Sequence, residues 1–214
     1  MRLYDYGPSA NCYKARLLLA QLARPYERVP IDIFGGDTLT DAFATKNPAR
    51  STPVLETDDG RYVQESNAIL WYLAEGTPFL PDEAFERAHV VKWLVLEQTD
   101  VMPGIGGLRF RLLTKRWRPD EPDAINRRAL GRSALELLDG HLREREFLVA
   151  ERYTIADIAA YAYTHTAPGA GFDLGDYPAV AQWIERVEAQ PRFVNDLQPY
   201  PPNAERGVGS SVYG

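Results

Sequence analysis

The chain has 214 residues, 45% of them apolar and 25% charged, enough to bury a substantial core in one large domain or two small ones. Thirty acidic against 24 basic side chains leave a formal charge of −6, which argues against a general nucleic-acid binder, whose affinity rests on cationic contacts to phosphate. The single cysteine, Cys12, excludes an intramolecular disulfide and a cysteine-rich zinc site, and fits a reducing, cytoplasmic setting.

From residue 1 to about residue 76 the apolar period switches between two and 3.6, which predicts an α/β unit. Residues 3–6 read as a short strand, Gly7-Pro8-Ser9 as a turn, and Ala15, Leu18, Leu19 and Leu22 as one face of a helix ending near Ala23. Val29, Ile31 and Ile33 alternate with polar neighbours in a second strand, where Pro30 points to a sheet edge because it cannot donate to a ladder. After a Gly35-Gly36 loop, residues 38–46 predict a short helix. Residues 52–57 and 61–64 then predict a hairpin across Asp58-Asp59-Gly60, and Ile69, Leu70, Leu73 and Ala74 line a further helix. The order is β-α-β-α-β-β-α.

A Gly, Thr and Pro-rich stretch over 77–84 predicts a linker, with Phe79-Leu80-Pro81 able to pin it to a groove. Beyond it every periodic segment is helical: 84–114, 123–142, 155–166 and 179–189. Met102-Pro103-Gly104 and Gly106-Gly107 predict a kink within the first of these. The expected organisation is an α/β domain over 1–76, a linker over 77–84, an all-helical domain over 85–200 and a loosely ordered tail over 201–214. No apolar run is long enough to span a bilayer, and the chain opens on a strand pattern rather than a secretion signal.

Three features in this order, the Ser-Ala-Asn-Cys-Tyr-Lys turn at 9–14, Ser51-Thr52-Pro53-Val54-Leu55, and Gln64-Glu65-Ser66 before a helix, resemble the glutathione transferase superfamily. The helical second half with Thr154-x-x-Asp157 follows the same pattern. The resemblance implies a thioredoxin-like N-terminal domain followed by a helical-bundle domain. It also implies glutathione as co-substrate, a small apolar electrophile as partner, and a cytoplasmic homodimer acting in detoxification. It implies further a cis Thr52-Pro53 bond that turns the backbone of Val54 toward a peptide-like ligand, as an added strand. Ser66 and the open N–H groups of the helix it begins make an anion site for the γ-glutamyl carboxylate, and Glu65 beside it meets the ammonium. Arg50, with Lys46 as rival, is expected to meet the glycine carboxylate.

A free thiol of pKa about 8.5 is only about 3% ionised at pH 7, and lowering it by two units takes about 2.7 kcal/mol. One charge-assisted hydrogen bond of about 1.5–3 kcal/mol plus a helix N-terminus can supply that. Ser9, immediately before the first helix, is the leading candidate, with Asn11 assisting through a Ser-x-Asn-x-x-Lys spacing similar to bacterial relatives with Thr-x-Asn-x-x-Lys. Tyr6 and Cys12 compete, because other classes of the superfamily use a tyrosine or a cysteine near this place. A cysteine in the first turn of a buried helix is also a common apolar filler.

His89, His141 and His165 lack metal-ligand spacing, so no metal is expected, and the basic run from Arg109 to Arg118 reads as a solvated face. Met102 and Phe110, with His165 or Tyr163 nearby, are expected to wall the electrophile pocket. Thr154-x-x-Asp157 reads as a reciprocal N-terminal cap with a folding role. Conjugation of glutathione is the leading activity; glutathione-dependent disulfide reduction and a non-catalytic interaction scaffold are the alternatives.

Overall fold

The computed structural model describes residues 1–212, and it divides into two compact units. The first comprises β1 (Arg2–Asp5), α1 (Ala10–Gln21), β2 (Glu27–Pro30), α2 (Asp41–Ala44), β3 (Val54–Glu56), β4 (Tyr62–Gln64) and α3 (Ser66–Ala74). Its sheet runs β2-β1-β3-β4, with β1 and β2 parallel and the other pairs antiparallel. This is the thioredoxin-like order, and β2 lies at the edge that Pro30 requires. Tyr4, Phe43 and Val54 form a buried cluster joined by Val29, Ile31 and Tyr62.

Helix α1 is buried on nearly every side, Lys14 and Arg16 included, because both cations find partners inside the unit. Arg16 divides its guanidinium between Asp5 Oδ1 at 2.5 Å, Asp196 Oδ1 at 2.8 Å and the Gly7 carbonyl at 3.2 Å. Asp5 also accepts a hydrogen bond from Arg28.

The second unit runs from Ala74 to Phe193 and is helical. Its helices are α4 (Ala84–Leu96), α5 (Gly107–Leu113), α6 (Pro122–Leu142), α7 (Ile155–Thr164) and α8 (Pro178–Glu188). All ten residues of α7 are buried, packed among α4, α8 and the segment Glu97–Gly106. The expected kink near Pro103 takes another form: residues Glu97–Gly106 continue the path of α4 as a wider π-helical segment leading into α5. Its glycines permit close approach. A Cβ on Gly104 would lie 2.5 Å from the Gly131 nitrogen in α6, and one on Gly106 would lie 2.2 Å from the Tyr163 ring.

The anticipated linker is anchored within this unit, where the Phe79 carbonyl accepts the Ile155 N–H at 3.0 Å and the Phe79 ring meets Tyr153 edge-on. Described residues of the expected tail over 201–214 make contacts with the first unit. From Val194 the chain belongs to the first unit, with Ser210 N donating to Phe34 O at 2.8 Å and Asn203 Nδ2 to Asp32 Oδ2 at 2.8 Å. An extended, proline-rich chain docks through its backbone, which leaves no apolar period to read. Tyr213 and Gly214 lie outside the described residues. No described helix is long and apolar enough to cross a membrane.

Candidate active site

The first turn of α1 and the first residue of α3 meet. Ser9 is the N-cap of α1, its Oγ accepting the Cys12 N–H at 3.3 Å, and its own N–H closes the preceding turn on the Tyr6 carbonyl at 2.9 Å. The Ser9 hydroxyl also lies within hydrogen-bonding reach of the Cys12 sulfur. Asn11, one turn position on, accepts a hydrogen bond from Ser66 Oγ at 3.0 Å through Oδ1, which directs its amide protons elsewhere.

Behind Ser66 lies Lys14, fully buried in α1, whose ammonium donates to Ser66 Oγ at 3.3 Å and to Asn67 Oδ1 at 3.2 Å. A cation sheltered from water beneath a helix N-terminus strengthens any anion site formed there. The sequence pattern used Lys14 only as a spacing mark. Its position four residues before Leu18, on the apolar face, was the signal that it is buried. Glu65, next to Ser66, is exposed in a left-handed conformation at φ 69°, its side chain clear of the protein interior.

The Thr52-Pro53 bond is cis, as the resemblance implied. Val54, however, is paired on both sides, with Tyr4 in β1 and Gln64 in β4, so it has no open edge to offer an added strand. The residue outside the sheet and ahead of the cis bond is Thr52, whose hydroxyl reaches the Cys12 sulfur.

Cys12 is completely buried, and its sulfur accepts the Tyr6 N–H at 3.4 Å. Burial, aided by the charge on Asp5, pushes its thiol up to about 11, against the pull of hydrogen bonds from Thr52, Tyr6 and Ser9. That environment disfavours the thiolate and suits a packing group. The Tyr6 ring is buried edge-on against Phe34.

Arg50 takes a left-handed backbone, φ 53°, that turns its guanidinium onto the carbonyls of Thr38 at 3.2 Å and Thr40 at 3.0 Å, with Asp41 at 3.5 Å. It braces that loop. Lys46 lies over the rings of Tyr4 and Tyr62, its ammonium 3.4 Å from the Tyr62 hydroxyl.

In the helical unit Met102 and Phe110 are half-buried, and the Arg116 guanidinium covers the Phe110 ring at 4.9 Å. Tyr163 packs against Gly106, while His165 stacks on Tyr161 at 4.5 Å and contacts its carbonyl at 2.8 Å. His165 is therefore a packing group, and burial lowers its pKa. No group of three His, Cys, Asp or Glu among the described residues is placed to hold a metal.

The profile of the glutathione S-transferase N-terminal domain matches residues 8–75, and that of the glutathione S-transferase C-terminal domain matches residues 101–191. The chain belongs to the glutathione S-transferase family. A glutathione S-transferase structure from Pseudomonas fluorescens Pf-5 is 43% identical, covers 92% of this chain and 98% of its own, and superposes with a TM-score of 0.89. The disulfide-bond oxidoreductase YfcG of Escherichia coli K12 is 30% identical over 87% of this chain and 89% of its own length. Elongation factor 1-gamma of Artemia salina is also 30% identical, over 73% of this chain, which spans only 36% of that longer protein. The similar proteins are named as a transferase, a disulfide-bond oxidoreductase and an elongation factor, so the site residues rather than the fold decide among these functions.

Proposed function

We propose that this family member binds glutathione and transfers its thiol to a small apolar electrophile. The observation that carries the reading is the Asn11–Ser66–Lys14 constellation, where two helix N-termini and a buried ammonium converge on one polar cluster. The γ-glutamyl carboxylate is held by the first-turn amides of α3 with Ser66 at their head and Lys14 beneath. Glu65 takes the ammonium. Thr52, with Pro53 fixing the turn after it, pairs with the cysteinyl backbone in place of Val54.

The thiol then lies against Ser9, whose hydroxyl donates to the thiolate while the Asn11 amide shares the charge. The thiolate forms a carbon–sulfur bond with the electrophile, which gives up a leaving group or takes the proton released by the thiol. Met102 and Phe110 line the apolar subsite. The proposal extends to a cytoplasmic location and to a homodimer, whose interface would have the exposed Phe85 and Val95 of α4 available to it.

Disulfide reduction is the second reading, favoured by the likeness to YfcG and by Asn11. Both share the bound glutathione thiolate, and neither needs Cys12. A scaffold without catalysis, suggested by the elongation-factor likeness, would not retain on immobilised glutathione.

Substitution separates these. Ser9→Ala should raise the pKa of bound glutathione by one unit or more in a thiolate absorbance titration, with affinity nearly unchanged. Asn11→Ala should lower turnover about tenfold, corresponding to about 1.4 kcal/mol. Cys12→Ala should leave both intact. A thiolate signal kept in Ser9→Ala and lost in Asn11→Ala moves disulfide reduction ahead of conjugation.

A further inference from the structure

The segment from Val194 crosses the turn that carries Ser9, and alternate residues of it grip the same side. Tyr13, fully buried in α1, donates its hydroxyl to the Val194 carbonyl at 2.7 Å. Asp196 accepts Arg16 Nε at 2.8 and 3.0 Å. Gln198 donates its backbone N–H to the Gly7 carbonyl at 3.3 Å. The side chain of Gln198 also occupies the space beside Gly7, where a Cβ would stand 2.3 Å from its Oε1. Glycine at position 7 is what lets the segment seat.

Arg16 is the joint. It is 1% exposed and ties together β1 through Asp5, the turn through the Gly7 carbonyl, and the returning segment through Asp196. Arg28 adds a second guanidinium against Asp5 and, at 3.8 Å, Asp196, so two cations face two anions. The Gly7 carbonyl therefore receives donors from α1 and from residue 198 at once, two residues ahead of Ser9.

We infer that Asp196 and Gln198 are positioning residues for Ser9, fixing through Arg16 and the Gly7 carbonyl the turn from which its hydroxyl donates. The inference rests on Ser9 as activator of the bound thiol. Without Asp196 the paired guanidinium groups carry surplus positive charge, Arg16 loses its outer anchor, and the Gly7 peptide is free to rotate. A purely structural clamp would instead change stability and leave chemistry alone.

The test uses Asp196→Ala, Asp196→Glu and Gln198→Ala in the full chain. Steady-state kinetics with glutathione and a chlorodinitrobenzene electrophile are combined with amide hydrogen exchange at Ser9 and Cys12. Asp196→Ala should lower kcat about tenfold with KM for glutathione within about twofold, and speed exchange at both amides about tenfold or more. Asp196→Glu should recover part of each. Should Asp196→Ala fail to fold, Gln198→Ala, which clears only the side chain over Gly7, should lower kcat about threefold. An active wild type whose variants melt earlier but keep kcat and exchange overturns the inference alone. A wild type with no glutathione-dependent turnover overturns the reading of Ser9 and the inference with it, and is recognised before any substitution is made.

Discussion

Removal of the Asp157 carboxylate tests a buried polar cluster of the helical unit. Its Oδ2 accepts the Thr154 N–H at 2.9 Å and the Thr154 hydroxyl at 3.2 Å, while Oδ1 accepts the Leu148 N–H and the Trp183 indole N–H, both at 3.0 Å. An N-cap alone is worth about 0.5–2 kcal/mol, but this side chain also holds the 148 loop and the core tryptophan. Asp157→Ala strands three buried N–H donors at about 1–3 kcal/mol each, partly relieved by water entering the space left, so a loss of about 3–5 kcal/mol is expected.

The loss depends on pH. Burial raises the Asp157 pKa from 3.8 to about 6 despite its four donors. A folded-state pKa above the unfolded value gives stability that is complete below pH 3.8 and is lost as pH rises through about 6. The shift of about two units amounts to about 3 kcal/mol of wild-type stability lost between about pH 4 and pH 7. Asp157→Ala removes that slope, so the gap between the proteins is wider at pH 5 than at pH 8. Urea midpoints of both proteins at the two pH values measure it. A mutant as stable as wild type at pH 5, or a gap that widens toward pH 8, refutes the reasoning.

Lys14→Met keeps the volume and deletes the charge under Ser66, so glutathione affinity by calorimetry should fall about tenfold to a hundredfold, the range for one charge-assisted bond. Arg50→Ala should lower the melting temperature through about 1–2 kcal/mol of lost loop contacts while affinity holds within about twofold; a tenfold loss restores the carboxylate role assigned to Arg50 from the sequence. Gly104→Ala drives a methyl into the backbone of Gly131 and should cost about 1–3 kcal/mol, read as an earlier thermal midpoint.

What the sequence made legible follows its physics. Apolar periods located each named helix and strand within a few residues, and Pro30 announced the edge strand because a missing N–H has only one tolerable place in a sheet. Ser9 and the Thr154–Asp157 cap were readable because helix ends demand particular oxygens at set spacings. For Lys14 only the burial was readable, from its place four residues before Leu18, and not the partner, which lies 52 residues away at Ser66. The loop contacts of Arg50 were not readable, because a left-handed backbone at a non-glycine residue leaves no mark in composition, yet decides where the side chain goes. Pro103 promised a break, but the helix absorbs it by widening.

The four-charge knot of Asp5, Arg16, Arg28 and Asp196 also constrains how such a sequence can drift. The buried Asp5 and Arg16 are tolerable only while their partners persist, so neutralising either one strands the other's charge in the interior and costs more than removing the pair together would. Substitutions at these positions, spread from residue 5 to residue 196, are therefore inherited as a set. A chimera that takes residues 1–193 from this chain and the remainder from a relative lacking an acid at 196 breaks the knot, however well each half folds in its parent.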